Sequence, residues 1–226
     1  SNVARVIALK AGIPHDRIAH TVNRNCASGM EAVTTAWQIL RDGRAKVIVA
    51  GGTESMSNVP LLWSRSAQQW FVELSRMKSL GQRLKHFTKF RPRFLKPIPA
   101  LQVGLTDPTC GLNMGQTAEN LVREFGITRE EQDRFALTSH QKALAAWERC
   151  DLKGEVLPLT AEQTQSGSLD KDNGPRSGQT IEALAKLKPI FEPRAGTVTV
   201  GNSCPITDGA AALLLMPLSH AKSLGL

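Results

Sequence analysis

Cys26 is the residue most suited to chemistry, because it stands in the run NRNCASGMEAV, directly before small residues and a helical pattern. A thiol at the start of a helix lies near the positive end of the helix dipole and near unpaired N–H groups, which favours the nucleophilic thiolate. Ala27, Ser28 and Gly29 leave room for a ligand, and the Cys26 N–H is a candidate oxyanion donor. On these residues alone, a nucleophile and an inert buried cysteine both remain open.

The elements around Cys26 predict a strand, a helix and a second strand. Residues 18–23, IAHTVN, have strand character and lead into the cysteine. Four apolar residues then recur at helical spacing: Met30, Val33, Trp37 and Leu40. The run KVIVAGG at 46–52 is typical of a buried strand. Residues 16–52 therefore predict the repeating unit of a parallel sheet.

The second half of the chain predicts two helices and a return to the sheet. MGQTAENLVREFG reads as a helix that ends at Gly126, and a longer helix follows, with Thr128 and Glu131 as its capping box. GTVTVGNSCPITDGAAALLLM, from 196, reads as a strand, a tight turn and a buried strand.

A sheet that begins, is interrupted by about 130 mostly helical and loop residues and then resumes indicates an inserted subdomain. We therefore predict an α/β fold with a core at 1–60, an insertion at 61–195 and a return to the core sheet at 196–226.

Composition excludes several classes of protein. Four cysteines are widely spaced without a CxxC pair, which argues against a zinc site and a disulfide scaffold: Cys26, Cys110, Cys150 and Cys204. Reduced thiols in a cytosol-like compartment are the expectation. The sequence contains no run of about 18 apolar residues, so it does not predict a helix that spans a membrane.

The net charge of +8 belongs to one segment, residues 61–100, which carries nine lysines and arginines against one acid, Glu73. The same segment holds six of the eleven aromatic residues. Cations and aromatics on a helix favour a membrane surface or an acidic partner. The alternative is an ordinary helix that packs its apolar stripe inside. No nucleic-acid-binding motif accompanies the charge, so nucleic acid is not an expected partner.

Several motifs together resemble the thiolase family. They are NRNCASGMEAV, KVIVAGGTESMSNVP, MGQTAENL, AKLKPIF and GTVTVGNSCPITDGAAALLLM, in that order and across essentially the whole chain. The resemblance implies a layered α-β-α fold with a mixed sheet and an inserted, mostly helical loop domain. It also implies that Cys26 attacks an acyl carbonyl and becomes an acyl thioester, in the cleavage of a 3-ketoacyl-CoA by coenzyme A (CoA) or in the reverse condensation.

In that family the inserted domain holds CoA, which is a substrate and not a resident cofactor; no metal is implied. The resemblance places five residues beside CoA: Met114, Arg176, Ala183, Phe191 and Cys204. Arg176 matches a basic residue near the nucleotide end, and Phe191 fits an aromatic wall. Several positions depart from the family: Ala183 and Cys204 stand where serine is frequent, Pro205 where glycine is usual, and Asn113 where histidine is common beside MG.

Thiolases also need a histidine that activates the nucleophile and a second cysteine that handles protons, in GHP-like and CxGG-like motifs. Neither motif occurs in these 226 residues. The first strand and helix of the family should also precede Val3. The resemblance therefore implies a central piece of a thiolase, inactive alone.

The run KSLGQRLKHFTKFRPRFLKP within residues 61–100 resembles a loop in thiolase subunits of the trifunctional fatty-acid oxidation complex. This branch implies a hydratase/dehydrogenase partner, a membrane surface and a bacterial cytoplasm or mitochondrial matrix, and the family implies a homodimer or tetramer. The alternatives are an acetoacetyl-CoA thiolase, a related condensing enzyme, or a docking module without catalysis.

Overall fold

A computed structural model describes residues 2–164 and 167–226 of the chain. The chain divides into two compact units. The first unit contains the described residues up to Asn58 together with Thr207–Leu226, and the second contains Val59–Ile206. The assignment of a CoA-binding role to the insertion stays a prediction.

The helices of the described residues are α1 Val3–Lys10, α2 Ser28–Arg41, α3 Arg65–Arg76, α4 Leu80–Phe87, α5 Ala100–Gly104, α6 Met114–Phe125, α7 Arg129–Glu148, α8 Ala161–Thr164, α9 Ile181–Ala185 and α10 Leu218–Ser223. The strands are β1 Ile48–Ser55, β2 Leu61–Leu62, β3 Ile98–Pro99 and β4 Asp208–Leu215, and 3-10 turns occupy Met56–Asn58 and Pro92–Leu95.

The first unit is built on an antiparallel pair of strands. β1 pairs with β4 in a register that runs from Ile48↔Leu215 to Ser55↔Asp208. Helix α2 packs against β1, and Ala36 and Ala50 are buried on these two elements. The predicted helix and the two apolar strands are therefore confirmed, and their elements bring Cys26 to the start of α2.

Three expectations about this unit are wrong. Residues 18–23 form no strand, because their polar atoms bond to the start of α1: the Asn2 amide donates to the Ala19 carbonyl at 2.9 Å, and Thr21 Oγ1 accepts from the Ala4 N–H at 3.1 Å. The parallel unit predicted for residues 16–52 does not form, because its first strand is missing, and β1 pairs instead with β4 in the antiparallel direction. Both strands are also largely exposed, because a two-stranded sheet with one packed helix leaves most of its surface uncovered.

The second unit is organised by α6 and α7. The predicted capping box and helix end are found: Thr128 and Glu131 cap α7, and Gly126 ends α6 with a left-handed φ of 64°. An unpredicted capping box, Asn113 with Gln116, starts α6. These caps satisfy N–H groups that a helix terminus leaves free, so both helices begin at defined residues.

The strand predicted at 196–200 is wrong. The chain there is irregular. The backbone N–H groups of Thr197 and Val198 donate to the carboxylate of Glu119 in α6 and not to a neighbouring strand. The Glu119 carboxylate thus accepts the backbone hydrogen bonds that these β-branched residues would donate to a neighbouring strand in a sheet.

The basic segment 61–100 folds around Trp70, which is 5% exposed. Its ring lies 5.0 to 6.3 Å, centroid to centroid, from those of Phe71, His86, Phe87, Phe90 and Phe94. The Trp70 and His86 side chains also bond to each other's backbone carbonyls, at 3.3 and 3.0 Å. The alternative prediction, an apolar stripe that packs inside, therefore holds for the aromatic side chains around Trp70. No helix of the described residues is long and apolar enough to cross a membrane.

Candidate functional site

Cys26 lies in an exposed turn just before α2, whose N-cap residue is Ala27. The residue before the cysteine, Asn25, has a φ of 46°, in the left-handed region that asparagine tolerates better than most residues. This conformation turns the chain sharply into the helix, so that Cys26 is on the surface. Cys26 is therefore exposed and not buried, and its role as a nucleophile stays a prediction.

Short-range hydrogen bonds fix the turn. The Asn23 carboxamide accepts from the Asn25 N–H at 2.9 Å, and Ser28 Oγ accepts from the Arg24 N–H at 2.9 Å while donating to the Asn25 carbonyl at 2.7 Å. Arg24 also pairs with Glu31 at 3.1 Å. All of these bonds join residues at most seven positions apart, so the local sequence alone builds the turn.

The turn leaves the Cys26 thiol open to solvent. The exposed thiol lies at the N-terminal end of a 14-residue helix, where the helix dipole favours an oxyanion that develops nearby. The arrangement is suited to nucleophilic attack on a carbonyl and transient acylation. Cys26 is the one predicted site residue in the first unit.

The five predicted CoA residues all belong to the second unit. Met114 is the first residue of α6 and is 50% exposed. Phe191 is half-buried, and its ring covers the backbone of Gly115 so closely that a Cβ at position 115 would lie 2.2 Å from the ring. Phe191 thus holds its own segment against the start of α6, next to Met114.

Ala183 is exposed on α9, which Arg129 of α7 holds in place. The Arg129 guanidinium donates to the carbonyls of Leu184 at 2.7 Å and Leu187 at 3.0 Å. Its Nε also pairs with Asp133 at 2.8 Å, and Asp133 is 1% exposed. The orphan carbonyls at the end of this short helix are therefore satisfied by a cation, which is favourable at a helix C-terminus.

Cys204 and Arg176 are both exposed. Cys204 follows a turn at 199–203 in which the Asn202 amide donates to the Asp133 carboxylate at 3.0 Å. The Arg176 N–H donates to His140 Nδ1 at 3.3 Å, so its segment is tied to α7. All five candidates are thus on α6 or on segments that bond to or pack against α6, α7 or α9.

Sequence reasoning missed the buried polar residues that support these segments, chiefly Glu119 and Asp133. Glu119 lies within MGQTAENL, but no local pattern says that this glutamate is buried. Arg129 and Asp133 have the i, i+4 spacing of a helical ion pair, which is the one signal present. The sequence also predicted no role for His86, which is buried against the ring of Trp70.

A groove of about 420 Å³ in the second unit contains none of the five candidates. It is lined by Phe125, Gly126, Ile127, Glu131, Gln132, Phe135 and Asn202. Among the residues that the structure describes, no group of three or more histidine, cysteine or acidic side chains is placed to hold a metal ion.

Comparisons with known proteins agree with the motifs. The family described as thiolase, N-terminal domain, matches residues 1–219. The curated 3-ketoacyl-CoA thiolase of Klebsiella pneumoniae (strain 342) is 40% identical over 225 residues, which are 100% of this chain and 51% of that protein. The 3-ketoacyl-CoA thiolase of Pseudoalteromonas translucida (strain TAC 125) is 40% identical over 224 residues, 99% of this chain and 50% of that protein.

Solved structures agree with the fold. The Bacillus anthracis acetyl-CoA acetyltransferase superposes with a TM-score of 0.82 at 36% identity, covering 100% of this chain and 52% of that one. The acetyl-CoA acetyltransferase of Syntrophomonas wolfei gives 0.80 at 34% identity, covering 100% and 51%. The chain therefore spans about half the length of the relatives that it matches, and the predicted α/β fold class is confirmed.

Proposed function

The chain belongs to the thiolase family, and from that premise we propose that its full-length protein cleaves 3-ketoacyl-CoA with free CoA in fatty-acid β-oxidation. The exposed thiol of Cys26 at the start of α2 carries this proposal, because acyl transfer through a covalent intermediate needs an accessible nucleophile. The 3-ketoacyl-CoA thiolases that resemble the chain at 40% identity support the choice of substrate.

The proposed reaction has two acyl transfers. In the first, the Cys26 thiolate attacks the C3 carbonyl, the C2–C3 bond breaks, and the leaving carbon takes a proton to give acetyl-CoA and an acyl-cysteine. In the second, the thiolate of a free CoA attacks the acyl-cysteine, and acyl-CoA leaves as the Cys26 thiolate returns. The Cys26 N–H is a proposed donor to the oxyanion formed in each transfer.

The protons must come from other groups. We propose that the activating histidine and the second cysteine lie outside these 226 residues, because neither motif occurs within them. The candidates for CoA binding remain Met114, Arg176, Ala183, Phe191 and Cys204. Arg176 suits the phosphates, since its guanidinium is a fixed cation with paired donors.

The test is a trapping experiment on the full-length protein. Incubation with a 3-ketoacyl-CoA in the absence of free CoA, followed by intact mass and peptide mapping, is expected to show one acyl adduct on the Cys26 peptide. Cys26→Ala should give none. A Cys110→Ala variant, which removes another exposed thiol, should retain the adduct. An unmodified Cys26 that still reacts with iodoacetamide would refute the proposal.

An acetoacetyl-CoA thiolase or a related condensing enzyme is the alternative within this chemistry. The two acetyl-CoA acetyltransferases with similar structures favour it. Turnover rates with C4, C8 and C16 3-ketoacyl-CoA substrates separate the readings. A preference for C8 and C16 supports the β-oxidation proposal, and activity confined to C4 supports the alternative.

A second candidate function is docking to a membrane surface through residues 61–100, in a bacterial cytoplasm or a mitochondrial matrix. Three aromatic side chains on the rim of the Trp70 cluster remain partly exposed beside the cations: Trp63 (38%), Phe71 (41%) and Phe87 (53%). Anionic lipid attracts clustered lysine and arginine, and aromatic rings suit the interface. An acidic subunit, such as a hydratase/dehydrogenase, and a second copy of the chain are the other proposed partners.

Vesicle flotation tests the docking function. Full-length protein should float with vesicles containing phosphatidylserine, and Arg91→Glu/Arg93→Glu/Lys96→Glu should abolish this. The matched control, Lys142→Glu/Lys153→Glu/Lys171→Glu, changes the net charge equally at exposed positions elsewhere and should float normally. Equal loss in both triple variants would show a mere charge effect and exclude a docking segment.

A further inference from the structure

The backbone N–H groups of residues 197 and 198 both donate to one buried side chain, that of Glu119, which is 1% exposed. The Thr197 N–H donates to both carboxylate oxygens, at 2.9 and 3.1 Å, and Thr197 Oγ1 donates to Oε2 at 3.2 Å. The Val198 N–H donates to Oε1 at 2.8 Å. One carboxylate therefore fixes two successive peptide units.

The approach of the chain to Glu119 is unusually close. A Cβ at Gly196 would lie 2.5 Å from Glu119 Oε1, so a side chain at this position would push the segment off the carboxylate. On the other side, the Asn202 carboxamide ties the turn to Asp133 and also accepts from the Thr199 N–H at 2.7 Å. Residues 197–202 are thus held by Glu119 at one end and by Asp133 at the other, directly before Cys204.

The same network reaches α9. Arg129 bonds to Asp133 and to the carbonyls of Leu184 and Leu187. The side chains of these two leucines approach Gly201 so closely that a Cβ there would lie 2.5 to 2.6 Å from them. The segments that carry Ala183 and Cys204 are therefore parts of one bonded assembly.

We propose that Glu119 is a positioning residue for the CoA site, which acts by holding the 197–203 segment and so placing Cys204. Burying a carboxylate is costly unless it is fully bonded, and apolar packing generally stabilises a core at least as well. What a carboxylate does better is to fix several backbone donors in one geometry. The hydrogen bond from Arg123 to Glu192, at 2.7 Å, is the main cause that raises the pKa of Arg123, and the charge of Glu119 adds a smaller contribution.

This inference rests on the proposed function, and its test uses the full-length protein. Glu119→Gln keeps the shape of the side chain but replaces an acceptor with a donor, which faces the N–H groups of the segment. We expect its Kd and KM for CoA to rise about tenfold, which corresponds to about 1.4 kcal/mol. The kcat at saturating CoA should stay within about twofold, and CoA should protect Cys204 from alkylation less well than in the wild type.

Glu124→Gln is the matched control, because Glu124 is an exposed acid on the same helix. It should leave the Kd for CoA and the protection of Cys204 unchanged. If Glu119→Gln does not fold, Thr197→Val, which removes the hydroxyl bonds to Glu119 and from Gln132, should raise the Kd for CoA two- to fivefold.

The outcomes are distinct. A lower melting temperature in Glu119→Gln with a wild-type Kd for CoA means that the residue is structural only, and the inference is overturned. Loss of kcat at an unchanged KM overturns it as well. A wild-type protein that does not bind CoA at all refutes the proposed function and, with it, this inference.

Discussion

The turn around Cys26 and the segments around Cys204 are built in opposite ways. The first is exposed and held by bonds between residues that are near neighbours in the chain, such as Asn23, Asn25 and Ser28. The second is held by buried carboxylates that bond to residues 69 to 79 positions away. This difference fits the proposed function, in which substrate must reach Cys26 and the segment of Cys204 must stay in place when CoA binds.

The contrast predicts that substitution of Cys26 changes the catalytic activity far more than the free energy of unfolding. Cys26→Ala should lower the kcat of the full-length protein by about 10⁴-fold or more, because the covalent route is lost. Its free energy of unfolding should change by less than about 0.5 kcal/mol, since the side chain is exposed. Steady-state kinetics and urea denaturation measure the two quantities. A large loss of stability would show that the Cys26 side chain contributes to packing, contrary to its exposure.

Removal of Asp133 should do the reverse in the second region. Asp133→Ala leaves the partly buried Arg129 without its ion pair and should lower the free energy of unfolding by about 3 kcal/mol. Glu130→Ala removes a fully surface pair with Arg134 and should cost less than about 0.5 kcal/mol. Urea titrations of both variants give the comparison, and equal effects would contradict the role assigned to burial.

One glycine in each region sharpens the contrast further. A Cβ at Gly115 meets the Phe191 ring at 2.2 Å, so Gly115→Ala should destabilise by about 1 to 3 kcal/mol. A Cβ at Gly29, inside α2, meets nothing within 4 Å, so Gly29→Ala should stabilise by up to about 1 kcal/mol through helix propensity. Thermal unfolding monitored by circular dichroism should therefore show shifts of opposite sign.

The smallest predicted effect depends on pH and concerns Asp208, whose carboxylate joins the start of β4 to the end of β1. The Ser57 hydroxyl, and then its N–H at 2.9 Å, hold the pKa of Asp208 below the ordinary value of 3.8. A lowered pKa stabilises the fold above pH 3.8, and this contribution is lost as the pH falls through the pKa of the folded state.

Ser57→Ala should therefore lower the melting temperature slightly at pH 6, and the difference from the wild type should shrink as the pH falls below 3.8 and through the pKa of folded Asp208. A difference that is the same at every pH would mean that the hydroxyl acts by packing. Thr34→Ala is a suitable control, because its hydroxyl bonds only within α2.

The same contrast explains what the sequence could predict. The helix that follows Cys26 and the capping box of Thr128 and Glu131 depend on neighbours in the chain, and local patterns predicted them. The strand predicted at 196–200 failed because Glu119, far away in sequence, takes its N–H groups. The strand predicted at 18–23 is wrong for a related reason, since the hydrogen-bond partners of these residues lie at the start of α1. Whether Met114, Arg176, Ala183, Phe191 and Cys204 contact CoA stays a prediction.

The pairing of β1 with β4 also sets an order of events on the ribosome. β1 ends at Ser55 and its partner begins at Asp208, so about 150 residues must be translated before the two strands can meet. At synthesis rates of about 5 to 20 residues per second, β1 waits for roughly 8 to 30 seconds. The second unit has all of its own residues during that interval and can fold first. The nascent Ile48–Ser55 strand therefore lacks its β4 partner throughout that interval, and an unpaired strand edge is a template for aggregation.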